Sequence, residues 1–159
     1  MEILFNSYSS IIIFLHVISA VIWVGGMIVI RFAVHYSMQE IEDPKVKIGR
    51  TLETLRRFFN MVIPSIIILL LSAIIIIVAL GFKGTPLYNF VIAKEIIWTI
   101  MTIIFIIIFV KRKQSQKAFD EGNVLIAKEK LLVIANYLIP INIILGLAAV
   151  FLGITLRGF

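Results

Sequence analysis

The sequence predicts an all-α fold: an integral membrane four-helix bundle with short loops and both termini on the non-cytoplasmic side. Three observations lead there. Hydrophobic residues make up 61% of the 159-residue chain and the mean hydropathy is +1.10, a composition suited to lipid rather than water. Four apolar runs each reach the ~20 residues needed to cross a hydrocarbon core. Between them, basic residues gather in two clusters that alternate with segments poor in Lys and Arg.

The first run covers about residues 8–36 and ends at the polar stretch from Gln39 to Lys47. Residues 1–30 contain no Lys or Arg, and the run exceeds the apolar core of a secretory signal, so a retained helix is expected. The second run covers about residues 58–80 and is closed by Gly81, Gly84 and Pro86. The third, about residues 88–110, stops at Lys111-Arg112-Lys113, and the fourth covers about residues 131–156. The connections are too short to hold a separate fold. Residues 1–159 therefore form one domain of four transmembrane helices.

The net charge of +6 is a matter of topology, not of nucleic acid. Arg31, Lys45, Lys47, Arg50, Arg56 and Arg57 flank the first loop; Lys111, Arg112, Lys113, Lys117, Lys128 and Lys130 flank the third. Lys83, Lys94 and Arg157 complete the fifteen basic residues. The positive-inside rule then places loops one and three in the cytoplasm and both termini outside, in a multi-pass bacterial inner membrane.

Chemistry must come from few residues. The chain has no cysteine, so disulfides, thiolate metal sites and cysteine nucleophiles are excluded. Its two histidines, His16 and His35, both lie on the first helix. An ionisable group in hydrocarbon is a candidate site until a packing partner explains it. His16 is eight residues in from the outer end of helix 1, and Lys94 six residues in from the outer end of helix 3. Both depths are roughly 9–12 Å. Snorkelling to the interface is the alternative for Lys94.

Ala20, Trp23, Met27 and Arg31 continue the His16 stripe at helical spacing. A buried Trp23 needs a partner for its indole N–H. Gly25-Gly26 removes side-chain bulk, either for close helix packing or to admit a flat cofactor against the backbone. Arg31, His35, Arg56 and Arg57 gather at the cytoplasmic face, as a clamp for carboxylates or phosphates or as an anchor for anionic headgroups. Pro64 and Pro140 should kink their helices or free carbonyls, with Asn136 and Asn142 placed to satisfy them. His16 and His35 are roughly 28 Å apart along the helix, so they cannot bind one iron from both sides. Haem at His16 would be five-coordinate, paired with a methionine or lysine, or shared across a homodimer.

With these residues in view, the chain resembles the CopD-like membrane superfamily and, within it, the HemJ-type protoporphyrinogen oxidases. The resemblance rests on Leu15-His16 followed by Trp23-Val24-Gly25-Gly26, Arg31-Phe32 with His35, and Leu55-Arg56-Arg57 leading into Ile63-Pro64. It continues through Ala93-Lys94 and Asn136 with Pro140. It implies a b-type haem (haem b) or porphyrin held in a four-helix bundle, with His16 as metal ligand and Lys94 as a catalytic group. Trp23, Gly25 and Gly26 would contribute to the cofactor site, with Arg31, His35, Arg56 and Arg57 facing porphyrin propionates. A quinone or respiratory-chain component would accept the electrons. Three features depart from the family pattern: Ile92 stands where a histidine precedes the alanine-lysine pair, residues 96–110 contain no histidine, and His35 is shifted by one place. CopD-like relatives imply copper handling, through His16, Met27 and other methionines, as the competing function. A structural membrane subunit is the third.

Overall fold

The computed structural model describes residues 2–156, and of the first six side chains only that of Phe5. Four helices long and apolar enough to cross a membrane make up nearly all of it: α1 (Ser7–Gln39), α2 (Pro44–Leu80), α3 (Tyr88–Asp120) and α4 (Val124–Thr155). No strand occurs among the described residues. An even number of crossings brings both ends of the described chain to one face of the bundle. α1 begins earlier, at Glu2, and is kinked at Tyr8 (φ −128°, ψ 19°).

Every helix outruns its apolar segment. The 37 residues of α2 would extend about 56 Å against ~30 Å of hydrocarbon. Most residues of the two basic clusters therefore stand on helical extensions rather than in loops. The actual connections are residues 40–43, 81–87 and 121–123. Local chemistry sets these ends. Asp43 caps α2 by accepting hydrogen bonds from Lys45 N (2.7 Å) and Val46 N (3.2 Å), with Pro44 in the first turn. Gly81 closes α2 in the left-handed conformation (φ 59°, ψ 44°).

α1 packs along α2 and α3 along α4, and the α2–α3 and α1–α4 contacts close the bundle. The centre is a layer of large side chains from all four helices: Trp23 and Met27, Phe59 and Val62, Met101 and Phe105, Ile139 and Ile143. Trp23 meets Phe105 edge-on at 6.2 Å between ring centroids, and Phe105 meets Phe59 at 5.3 Å. Such pairs add ~0.5–1.5 kcal/mol each beyond the area they bury. Small residues let the helices approach. A Cβ built at Gly146 would stand 2.6 Å from Val24 Cγ2 and 3.2 Å from Met101 Cε, which locks α1 and α3 against α4. The outer surface is a belt of exposed apolar side chains, Phe14, Phe32, Ile67, Ile106, Ile144 and Phe151 among them, as lipid contact requires.

Three π-helical turns interrupt the α-helices: Val21–Gly25 and Ile30–Val34 in α1, and Ile134–Leu138 in α4. The last precedes Pro140, whose missing N–H would otherwise break the ladder within an α-turn. Neither asparagine serves its own helix as expected. Asn136 is exposed and makes no hydrogen bond among the described residues, whereas Asn142 is fully buried and donates from Nδ2 to Met101 O across the bundle (3.4 Å). Pro64 leaves α2 unbroken.

Candidate functional site

His16 does not sit alone in hydrocarbon. Its Nδ1 lies 2.9 Å from the hydroxyl oxygen of Ser72 on α2, a residue with 5% exposure. Ser72 Oγ is also 2.7 Å from Ile68 O and 3.1 Å from Leu69 O. A carbonyl has no proton to give, so the single hydroxyl proton of Ser72 is committed to its own helix. The bond to the imidazole then requires Nδ1–H to donate. In the neutral ring this leaves Nε2 with a free lone pair. The arrangement is the one that orients a metal-binding histidine, with one nitrogen tethered and the other available.

Beside this pair, Ile12 and Leu15 of α1 with Ile68, Leu71 and Ile75 of α2 form an open, apolar groove of about 190 Å³ that reaches Ser72. Lys94 approaches from α3. Its Nζ passes over α4 where Gly153 has no side chain: a Cβ built there would lie 3.0 Å from Nζ and 3.7 Å from Cε. Lys94 is only partly exposed and makes no hydrogen bond or ion pair among the described residues. The two ionisable residues that share a predicted depth thus lie toward the same end of the bundle, His16 beside Ser72 and Lys94 beside Gly153.

The Gly25-Gly26 pair separates into two roles. A Cβ at Gly26 would stand 2.5 Å from Phe58 Cε2, so this glycine serves packing against α2. Gly25 has nothing within 4 Å of its would-be Cβ. Trp23 is 1% exposed, yet its indole Nε1 has no hydrogen-bond partner among the described residues. The partner expected for it is absent there, at a cost of about 1–3 kcal/mol.

The four cations expected at the basic end do not converge. Arg56 and Arg57 turn outward and share Glu53 at 2.8 Å each. Arg31 and His35 instead line a cavity of about 170 Å³ between α1, α2 and α4, together with Lys47 and Lys128. Arg31 and His16 are fifteen residues apart on one helix, roughly 22 Å, more than a porphyrin spans from its iron to its propionates. One porphyrin cannot use both His16 and Arg31.

A haem-type group therefore fits this chain in one respect and not in another. His16 could supply a single nitrogen donor and the groove that Ser72 lines is apolar, but the Arg31–His35 cations belong to a different place. Met27 is roughly 16 Å along the helix from His16, so the two cannot share a copper ion. Among the described residues, no group of three or more His, Cys, Asp or Glu is gathered to hold a metal. Sequence reasoning missed Ser72 and Gly153. Ser72 carried a signal, a hydroxyl inside the apolar run of α2, but its pairing with His16 depends on helix register. Comparison with family models, curated proteins and solved structures gives no match.

Proposed function

We propose that this multi-pass membrane protein binds a b-type haem or related porphyrin through His16 Nε2 and acts in redox chemistry. The observation that supports the reading is the Ser72 tether, which engages Nδ1 and leaves Nε2 as the lone-pair nitrogen, while Ser72 itself also lines an apolar groove. Bound there, the group would supply one-electron redox chemistry. The chain's own residues would do the rest. Ser72 fixes the tautomer and orientation of the imidazole. Lys94 offers a compact ammonium at the same end of the bundle, able to pair with a carboxylate or to move a proton at Nζ. The protoporphyrinogen oxidase-like activity, a quinone acceptor and a homodimeric site are the finer parts of the proposal. It also places the protein in a bacterial inner membrane with the basic end of the bundle in the cytoplasm.

The test is the optical spectrum of the purified protein after growth with a haem precursor. A Soret band is expected in the wild type and its loss in His16→Ala, with membrane levels preserved. His35→Ala, at the other end of α1, should keep the band. A wild-type spectrum without a Soret band, or an unchanged one in His16→Ala, overturns the reading.

A further inference from the structure

The cavity at the basic end is independent of the His16 cluster, and its lining is chemically one-sided. Two π-helical turns, Ile30–Val34 and Ile134–Leu138, both contribute to its wall. π-turns are rare and concentrate at functional sites. Here both stand at one cavity. Its charged lining consists of Arg31, Lys47 and Lys128, with His35 as a fourth titratable group, and no Asp or Glu. Lys47 also donates to Gln39 O (3.1 Å).

Arg31 is the group left over. Its guanidinium carbon lies 5.9 Å from the Phe32 ring centroid and 5.8 Å from that of Tyr36, while Nη1 is buried without a hydrogen-bond partner among the described residues. A buried guanidinium N–H is costly unless an acceptor meets it. Most of the remaining lining is aliphatic, from Ile30 and Val34 to Leu131 and Ile139. Cations at one point and an apolar wall beyond describe a ligand with an anionic head and a hydrocarbon tail. The position agrees, because Arg31 lies near the end of the α1 span, where headgroups meet acyl chains.

We infer that this cavity is a binding site for a net-anionic phospholipid, its phosphate held by the Arg31 fork with Lys47 and Lys128 and one acyl chain lying along the apolar wall. Arg31 supplies two parallel donors to phosphate oxygens, and the lysines add point charges. A free phosphate would satisfy the same cations but leave the aliphatic wall without a partner. The site does not depend on whether His16 binds a porphyrin.

The experiment uses the full chain in nanodiscs of phosphatidylcholine doped with phosphatidylglycerol, with retained lipid counted by native mass spectrometry and affinity taken from titration. Phosphatidylglycerol should bind preferentially over phosphatidylcholine. Arg31→Gln should weaken it about tenfold, the loss of one charge-assisted hydrogen bond. Ala135→Phe, which fills the cavity without changing charge, should abolish it. Arg57→Gln, on the outer face, and His16→Ala should leave it unchanged. Where the Gln variant does not accumulate, Arg31→Lys keeps the charge, loses the fork and should still weaken binding. Equal binding of the two lipids, or wild-type retention in Ala135→Phe, overturns the site. Full competition by millimolar inorganic phosphate overturns the lipid assignment.

Discussion

Ser72→Ala isolates the tether from the ligand. The substitution removes one oxygen atom and leaves His16 in place. Ile68 O and Leu69 O keep their helical hydrogen bonds, so their loss of the hydroxyl (2.7 and 3.1 Å) matters little. What changes is Nδ1 of His16, whose 2.9 Å bond disappears. A buried donor left without an acceptor costs about 1–3 kcal/mol. Loss of an orienting partner behind a metal-binding histidine costs about 10–100-fold in affinity. That range equals about 1.4–2.8 kcal/mol, so the two routes agree.

Ser72→Ala should therefore bind haem about 10–100-fold more weakly. Ser72→Thr, which restores a hydroxyl, should recover most of the loss. The assay is titration of haem into the purified apoprotein, followed at the Soret band, with thermal unfolding in parallel. A merely structural serine would lower the unfolding temperature and leave the titration unchanged. Wild-type affinity in Ser72→Ala, with His16→Ala inactive, would refute the tautomer argument while leaving His16 as ligand.

Lys94→Arg and Lys94→Met should both impair redox turnover or cofactor retention at preserved membrane levels, because Nζ is fitted over Gly153 and a guanidinium is broader and stays charged. Gly153→Ala should reproduce part of the Lys94→Arg defect by crowding Nζ from the other side; wild-type behaviour of Lys94→Arg would return this lysine to snorkelling. A reporter active only in the cytoplasm, fused after Phe159, should be silent if the basic end faces inward, and strong activity there would reverse the orientation.

The fold was legible because lipid permits few solutions. Apolar length, turn residues and the placement of Lys and Arg were enough to predict four helices, since a spanning segment must satisfy its own backbone. The helix ends were not legible from hydropathy. Residues 44–57 and 111–120 are polar, so they leave the bilayer, but Asp43 and Gly81 at the two ends of α2 show that capping chemistry, not apolarity, ends a helix. The π-turns escaped for a related reason: a five-residue offset in one turn barely disturbs the apolar pattern, and only Pro140 hinted at one of them.

The candidate site divides along the same line between periodicity and register. The stripe His16, Ala20, Trp23, Met27, Arg31 follows from spacing alone, and Trp23 and Met27 are indeed buried at 1% exposure. Which side chains on other helices meet that stripe depends on the sliding of one helix against another. That sliding is set by contacts such as Gly26 on Phe58 and Gly146 on Val24, where a single methyl group would force a shift. The same close contacts explain the separation of the two ends. With glycines drawing α1 onto α2 and α4, the layer of Trp23, Met27, Met101 and Phe105 packs across the middle of the bundle. His16 and Arg31 then lie to either side of a packed layer rather than on one shared pocket. The cations that sequence order offers to one ligand are thereby divided between Glu53 on the surface and a cavity of their own.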